Sequence, residues 1–410
     1  MALILRGFKI EPCEECGMEV VHHGRERFFL TVDSFFGRLT RPLDGLLQGN
    51  IMPLADAFLD RVGPAFSRVL FRTGLATKIS APDEHFSEGA QALWNEAVKR
   101  GIEMYEVRPL GLPRRQFIAR RNRKSFSFEG LPRLARARKS LLWIDDKLEV
   151  KKRFQKAGFP VPNGRSARSE REAVKIFNAL RKPVIVKPRE GSGGRHTTVH
   201  IENESELIAA YRSARLIAPS VIIEEQFFGP IFRATIVNRK LAAVLRRDPP
   251  QVTGDGRSTA RQLVAAENKN SLRRGPVFAE IKIDSTASRR ELARQGLTPD
   301  SIPATGRVVQ FHFKVNWGVG GTSRDATSET HPDNIKLFND IGAFLGEDIA
   351  GIDFIIPDIS VSWRGEPRCG VIECNSLPAI GNHHFPFTGP ARNVAGAIWD
   401  MVFPGSPSIN

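Results

Sequence analysis

The second part of the chain alternates short apolar runs with amphipathic segments, a pattern that predicts strands separated by helices. Ser169 and Glu172 form an N-terminal capping box, and the apolar residues that follow recur at helical spacing. Residues 147–156 and the segment after Asn203 predict two further helices. The predicted strands cover residues 183–187, 221–224, 232–237, 241–245, 308–314, 351–356 and 371–374. Strands that alternate with capped helices predict an α/β or α+β fold.

Residues 1–144 have a less regular pattern and predict a smaller N-terminal α/β domain. Residues 28–32 predict a strand, residues 90–99 a helix that ends at Gly101, and residues 102–107 the next strand. The regular pattern begins at about residue 145, which is where we place the domain boundary.

Composition narrows the class of protein. The chain has 410 residues, 41% hydrophobic and 26% charged, which indicates a globular chain of two or three domains. It has no run of about 18 apolar residues, so we expect no membrane span. The apolar start is too short for a secretion signal, and the four cysteines favour a reducing cytoplasm. The formal net charge of +15 predicts acidic partners, which include nucleic acid, phosphates and polycarboxylates.

A glycine-rich segment follows the predicted strand that ends at Lys187. Residues 189–195 contain Gly191, Ser192, Gly193 and Gly194, and glycines let backbone N–H groups converge on an anion. Lys187 is placed to bind a phosphate as a point charge. A plain flexible hairpin remains the alternative. The spacing matches neither a P-loop nor a dinucleotide-binding turn.

Three oxygen-bearing side chains lie in predicted C-terminal strands. Asp353 is embedded in an apolar strand, while Glu373 and Asn375 are two residues apart and therefore share a strand face. Two carboxylates and an amide oxygen suit Mg²⁺ that arrives with a nucleotide's phosphates. Ion pairs with some of the many arginines are the alternative.

These motifs, in this order, resemble the ATP-grasp ligases, and specifically the ATP-grasp domain of cyanophycin synthetases. The resemblance covers roughly residues 145–405, about two-thirds of the chain. It rests on Asp146-Lys147, residues 157–162, residues 184–188, residues 224–229, residues 246–256, Asn316, residues 320–322, Asp325, residues 331–332, residues 351–353, Glu373, Asn375 and His383.

The resemblance implies an ATP-grasp fold of two α+β subdomains that grip ATP, with residues 145–228 as the first and residues 229–405 as the second. It implies that ATP and Mg²⁺ are cofactors, with two ions expected, and that a carboxylate is activated as an acylphosphate before an amine attacks. The implied ATP-binding residues are Lys147, Lys187, Gly191, Ser192, Gly193, Gly194, Glu224, Glu225 and Phe227. The implied metal ligands are Asp353, Glu373 and Asn375. The implied catalytic cations are Arg233, Arg246 and Arg247, and the candidate substrate contacts are Asp255, Asn316 and His383.

The sequence departs from the family pattern at three points. Ile231 stands where an acid normally accepts from the ribose hydroxyls, and His312 stands where an arginine is expected. Cyanophycin synthetases also continue into a second, P-loop-type ligase module, whereas this sequence stops at Asn410. We therefore expect one amide-forming step. An ATP-binding protein without ligase activity is the alternative that Ile231 and His312 leave open.

Two weaker patterns remain. Cys13 and Cys16 form a CxxC pair with His22 and His23 close by, which allows a zinc site, although a free thiol pair is the commoner outcome. Residues 114–139 contain ten basic residues and one acid, interleaved with phenylalanines, which suits either a solvated face or single-stranded nucleic acid. Given the ligase resemblance, we expect an anionic small molecule, amino acid or peptide as substrate, rather than nucleic acid or a membrane. The oligomeric state stays open, with a homo-oligomer among the alternatives.

Overall fold

The structure is a computed structural model, and it describes residues 11–13, 18–21, 23–24, 27–28, 31, 63, 65–113, 115–134, 143–191, 193–274 and 277–405. Every strand pairing in it is antiparallel. The strands are β1 (Glu11–Cys13), β2 (Met18–Val21), β3 (Ala76–Ile79), β4 (Glu103–Pro109), β5 (Gln116–Arg121), β6 (Lys124–Glu129), β7 (Gly164–Ala167), β8 (Val184–Pro188), β9 (Thr198–Ile201), β10 (Val221–Glu225), β11 (Ile231–Val237), β12 (Lys240–Asp248), β13 (Gln251–Thr253), β14 (Val308–Gln310), β15 (Thr322–Asp325), β16 (Ile349–Ile355) and β17 (Gly370–Asn375).

The α-helices cover the faces of these sheets. From residue 88 onwards they are α1 (Glu88–Lys99), α2 (Lys147–Lys156), α3 (Glu170–Ala179), α4 (Glu204–Arg215), α5 (Ala260–Glu267), α6 (Thr286–Arg294), α7 (Pro332–Leu345), α8 (Gly381–His384) and α9 (Val394–Val402), and residues 65–72 are also helical. Short 3₁₀ helices cover Ser271–Arg274, Trp317–Val319 and Trp363–Gly365. No helix among the described residues is both long enough and apolar enough to span a bilayer.

A four-stranded sheet in the order β3-β4-β5-β6 forms the N-terminal part of the described structure. Helix α1 packs on it, and α9 from the far end of the chain joins the same core, where the Trp399 indole N–H donates to the Leu93 carbonyl at 2.9 Å. The core therefore crosses the predicted boundary at residue 144, and that boundary stays a prediction.

The basic stretch is a hairpin rather than an open face. Its described part forms β5 and β6, and Phe117 and Phe128 are 2% and 5% exposed in the core. Two of the three phenylalanines that suggested base stacking are therefore unavailable to a nucleic acid. Residues 114 and 135–139 lie outside the described residues.

A second four-stranded sheet has the order β7-β10-β8-β9, with α3 and α4 packed on one face. Side chains alternate across β8. Val184 and Val186 are buried under the helices, whereas Ile185 and Lys187 point to the opposite face. Ser169 caps α3 by accepting from the Glu172 N–H at 3.2 Å, as its sequence predicts.

The five-stranded sheet has the order β15-β12-β11-β16-β17 and packs one face against α7. Along β16, Ile352 and Phe354 are buried in that core, so Asp353 between them faces the other way. Along β11, Phe232 and Ala234 likewise enclose Arg233, which also faces the opposite side.

Two predicted strands differ from the structure. Phe28 and Thr31 are helical, so the strand predicted over residues 28–32 is wrong at these positions, and the other three residues lie outside the described part of the chain. The strand predicted over residues 308–314 ends at Gln310. In both places β-branched and aromatic residues favour a strand only weakly, because strand preference depends on packing partners.

Candidate active site

A cleft of about 820 Å³ lies between the second four-stranded sheet and the five-stranded sheet. Its walls come from β8 and β10 on one side and from β11, β16 and β17 on the other. The glycine-rich loop after β8 forms part of its lining. The volume is in the range of small-molecule and cofactor sites.

A buried ion pair lies on the floor of the cleft. The Arg233 guanidinium donates to Asp353 through Nε at 2.5 Å and through a terminal nitrogen at 2.8 Å. Arg247 lies 3.7 Å from the same carboxylate. Burial by itself would raise the pKa of Asp353, but the charge and hydrogen bonds of Arg233, together with the charge of Arg247, outweigh it and lower the pKa. The carboxylate is therefore held ionised.

Glu373 connects the metal-ligand candidates to the glycine loop. It lies opposite Asp353 in the β16–β17 register, and its carboxylate is 3.3 Å from the Lys147 ammonium. Lys147 also donates to the carbonyl of Gly191. This lysine thus joins α2, the loop and β17 at one point.

The loop needs its glycines for backbone reasons. Gly191, Gly193 and Gly194 have φ values of +104°, +72° and +67°, which side chains rarely adopt. Ser192 lies outside the described residues. Asn316 lines the cleft and donates to the Gly193 carbonyl at 3.2 Å, so it contacts the loop from the opposite wall.

A buried carboxylate bridges two lysines at the upper wall. Glu224 is 1% exposed and lies 2.5 Å from both the Lys187 and the Lys151 ammonium. Burial would raise the pKa of Glu224, but the two lysines lower it, so the group is ionised. Glu224 is among the ATP-binding residues that the family resemblance implies, whereas Lys151 is not among the predicted site residues. The signal available was the spacing of Lys147 and Lys151, four residues apart on one face of α2.

A second ion pair fixes the start of α2 to the glycine loop. Asp146 caps the helix by accepting from the Leu148 N–H at 3.0 Å, and it also accepts from Arg189 at 2.9 Å. Burial would raise the pKa of Asp146, but the hydrogen bond and charge of Arg189, together with the backbone N–H groups of the helix start, outweigh it and lower the pKa. This pair is not among the predicted site residues.

The other predicted site residues divide into two groups. Glu225, Phe227, Arg246 and Arg247 line the cleft, and Arg246 pairs with Asp248 at 2.9 Å. Asp255 is exposed and is not part of the cleft lining; hydrogen bonds from the Ser258 and Arg257 backbone N–H groups lower its pKa to about 2.

His383 also lies outside the cleft lining. It is 1% exposed and contacts the Thr235 hydroxyl at 2.7 Å. Burial and the charge of Arg233 lower its pKa to about 3, so the imidazole is neutral. Its side chain thus contacts β11, two residues along the strand from Arg233.

The donor set fits a hard cation such as Mg²⁺. Asp353, Glu373 and Asn375 all line the cleft with oxygen-bearing groups. Each Asp353 oxygen accepts from Arg233 but retains a second lone pair for a metal. The Asn375 amide nitrogen is buried without a hydrogen-bond partner among the described residues, and rotation of the amide exchanges it for the oxygen. The structure thus shows both the arginine pairing and the oxygen cluster that the sequence left as alternatives.

The departures from the family pattern have different locations. Ile231 begins β11 and lines the cleft, so an apolar side chain occupies that part of the wall. His312 is half-buried, and its ring nitrogen accepts from the Lys314 N–H at 3.1 Å.

Comparison with known proteins shows which proteins this chain is similar to. Residues 144–226 match the family described as ATP-grasp domain. A cyanophycin synthetase of Trichormus variabilis is 36% identical over 269 residues, which cover 64% of this chain and 29% of that protein. The glutathione biosynthesis bifunctional protein GshAB of Mannheimia succiniciproducens is 32% identical over 274 residues, which cover 65% of this chain and 36% of that protein.

A solved structure supports the same assignment. The bifunctional glutathione synthetase from Pasteurella multocida superposes with a TM-score of 0.54 at 27% identity, covering 77% of this chain and 43% of that one. The chain spans only about a third of the length of the curated relatives it matches. The predicted ATP-grasp fold is confirmed: residues 144–226 match the ATP-grasp domain, and about two-thirds of the chain is similar to part of a cyanophycin synthetase and to part of a bifunctional glutathione biosynthesis protein.

Proposed function

We propose that this protein is an ATP- and Mg²⁺-dependent ligase that joins a carboxylate to an amine through an acylphosphate. The observation that carries the proposal is the convergence of Lys147, Lys187, Arg233 and Arg247 with Asp353 and Glu373 in one cleft. Relatives named as cyanophycin synthetase and as a glutathione biosynthesis protein support a bond-forming enzyme.

The two lysines and the glycine loop would bind the nucleotide phosphates. Lys187 is held by Glu224, and Lys147 is held between Gly191 and Glu373, so both ammonium groups are pre-positioned. Pre-positioned cations stabilise transferring phosphate without reorganisation during the reaction. Phe227 and Glu225, on the segment that links the two sheets, would contact the base.

Asp353, Glu373 and Asn375 would hold Mg²⁺, which neutralises phosphate charge when bound. In the proposed reaction a donor carboxylate oxygen bonds to the γ-phosphorus and ADP leaves. The amine then bonds to the acyl carbon, loses a proton, and inorganic phosphate leaves. Arg233 and Arg247 are the cations beside the proposed metal position, because both approach Asp353 on the cleft floor.

The cleft also supports an anionic substrate. Arg246 lines it near the end of β12, and its side chain is 33% exposed. Arg246 pairs with Asp248, its neighbour two residues along the strand, and retains donors for a substrate carboxylate. We therefore propose an acidic amino acid or peptide as donor or acceptor. Asn316, on the opposite wall, is the proposed polar contact.

A screen of ADP release tests the proposal. The purified chain is incubated with ATP and Mg²⁺ and with amino acids, short peptides and polyaspartate, and products are identified by mass spectrometry. We expect ADP release to depend on one donor and one amine, with a product of their summed mass less water. AMP as the nucleotide product would contradict the proposal.

An ATP-binding protein without ligase activity is the second candidate. Ile231 favours it, because an apolar side chain in the cleft wall offers no acceptor to the ribose hydroxyls. It predicts ATP binding in a calorimeter, with no ADP release under any condition of the screen.

A further inference from the structure

We propose that Cys13, His23 and His196 form a zinc-binding site outside the nucleotide cleft. One thiol and two imidazoles are brought together from β1, a short helical segment at residues 23–24, and the end of the glycine-rich loop. Their ligand atoms all lie within 4.8 Å of one another. None of the three lines the cleft, so the site is separate from the proposed ligase chemistry.

The distances agree with tetrahedral zinc. The Nε2 atoms of His23 and His196 are 3.2 Å apart, and Cys13 Sγ is 3.6 Å from His196 Nε2. Zinc–nitrogen bonds of about 2.05 Å and zinc–sulfur bonds of about 2.3 Å at the tetrahedral angle require separations of about 3.3 Å and about 3.6 Å. Two of the three donor separations therefore already match those that a shared ion imposes, and the third, between Cys13 and His23, is within 4.8 Å.

The second ring nitrogen of His196 has the partner that a metal ligand needs. Its Nδ1 lies 3.1 Å from the Ser213 hydroxyl on α4. A hydroxyl that accepts from Nδ1–H fixes the tautomer in which Nε2 presents its lone pair. His196 is 3% exposed and has a φ of +49°, a backbone conformation that costs free energy in a non-glycine residue. The fold thus holds this imidazole at a specific point.

The donor types select the metal. A thiolate with two imidazoles favours zinc over Mg²⁺ or Ca²⁺, which prefer oxygen. Binding removes the Cys13 thiol proton, which passes to solvent, and uses both histidines in their neutral form. The CxxC spacing alone indicated such a site only weakly, and His196, 183 residues from Cys13, is the ligand that spacing could not identify.

The site would fasten the N-terminal hairpin to the loop of the cleft. His196 follows directly after Arg195, which lines the cleft, so an ion bound here would restrain the end of the loop. The ion would therefore act as a structural clamp, and its presence can be tested without any assay of ligase activity.

Metal analysis of the full chain is the test. The protein is purified without a metal-affinity tag, given one equivalent of Zn²⁺ or Co²⁺, and dialysed. We expect one zinc per chain, and we expect Cys13→Ser and His196→Ala to lower zinc affinity by more than tenfold. Cys369→Ser and His85→Ala are the matched controls and retain zinc, because neither residue contacts the cluster. The Co²⁺ form is expected to show a thiolate-to-cobalt absorption band that Cys13→Ser removes.

Ser213→Ala separates a metal site from a merely structural cluster. It leaves all three ligands in place, so we expect a folded protein whose zinc affinity falls about tenfold. Wild-type chain that holds no zinc after dialysis overturns the proposal, as does unchanged zinc content in both Cys13→Ser and His196→Ala.

Discussion

Arg233 and Asp353 face each other across neighbouring strands of the five-stranded sheet and form a two-pronged ion pair at 2.5 and 2.8 Å. Both side chains are buried, at 8% and 5% exposure. Each occupies the face of its strand that turns away from the hydrophobic core, so the pair forms the floor of the cleft. A charged floor of this kind positions cations and oxygen ligands together, which is what phosphate chemistry requires.

Replacing Arg233 with Met should destabilise the fold. The change leaves Asp353 buried, with only Arg247 at 3.7 Å, so we expect a loss of about 3 kcal/mol in the free energy of unfolding. Urea unfolding measures it. The double variant Arg233→Met/Asp353→Leu should recover only part of the loss, because the buried carboxylate is gone but Arg247 then lacks its ion-pair partner.

The control for this prediction is an exposed pair of similar geometry. Arg212 donates to Glu170 at 2.7 and 3.2 Å on the surface of α3 and α4. Arg212→Met should leave the urea midpoint almost unchanged, since water replaces the lost contact. Equal midpoints for Arg233→Met and the wild type would show that the buried pair does not stabilise the fold.

Lys151 and Lys152 are neighbours with opposite environments. Lys151 contacts Glu224 at 2.5 Å and the Pro162 carbonyl at 2.6 Å, whereas the Lys152 side chain is 61% exposed. Lys151→Met should leave Glu224 with one lysine, lower the unfolding midpoint and weaken ATP binding through displacement of Lys187. Lys152→Met should change neither quantity. Titration calorimetry with ATP and urea unfolding check both variants, and identical behaviour of the two would contradict the bridging role.

Gly351 is required by the approach of Arg233. A Cβ at this position would lie 3.2 Å from the Arg233 side chain and 2.8 Å from Pro378. Gly351→Ala should therefore displace the guanidinium. We expect a clear loss of kcat with only a small change in the melting temperature. Gly365→Ala is the matched control, because nothing lies within 4 Å of its Cβ. Steady-state rates and melting temperatures of both variants test this; a Gly351→Ala enzyme with full kcat would contradict it.

His383 should make the fold sensitive to acid. Burial lowers its pKa to about 3, below the value of about 6.5 that it has when unfolded. The unfolded chain therefore binds the proton first, so stability from the neutral imidazole is complete above pH 6.5 and is lost as the pH falls towards 3. Between pH 7 and pH 4 we expect a loss of up to about 3 kcal/mol from this residue.

A variant isolates that contribution. His383→Gln does not titrate and should show a shallower fall in unfolding free energy over the same pH range, whereas exposed His85→Gln should follow the wild type. Parallel curves for His383→Gln and the wild type would show that another group causes the acid sensitivity.

The site residues that could be recognised from sequence are those whose side-chain type and strand face follow from their immediate neighbours in the chain. Asp353 is a carboxylate within an apolar strand, and the two-residue spacing of Glu373 and Asn375 puts both on the cleft face, with Cys374 buried between them. Lys187 ends its strand directly before the glycine loop. In each case strand periodicity alone determines the face.

What sequence could not reveal depends on long-range packing. Lys151 and Glu224 are 73 residues apart, and Cys13 and His196 are 183 apart, so no spacing rule connects them. The family resemblance predicts that His383 contacts the substrate. In the structure its side chain contacts Thr235, in the strand beneath the cleft. Phe28 and Thr31 are helical rather than extended because local strand preference is weak where packing decides.

Trapping the activated carboxylate tests the central claim most directly. The chain is incubated with ATP, Mg²⁺, hydroxylamine and the donor candidates of the screen, and hydroxamate and ADP are measured together. We expect both products in equal amounts from the wild type and from Glu129→Gln, an exposed control, and neither product from Glu373→Gln. ADP without hydroxamate, or full turnover by Glu373→Gln, would contradict it.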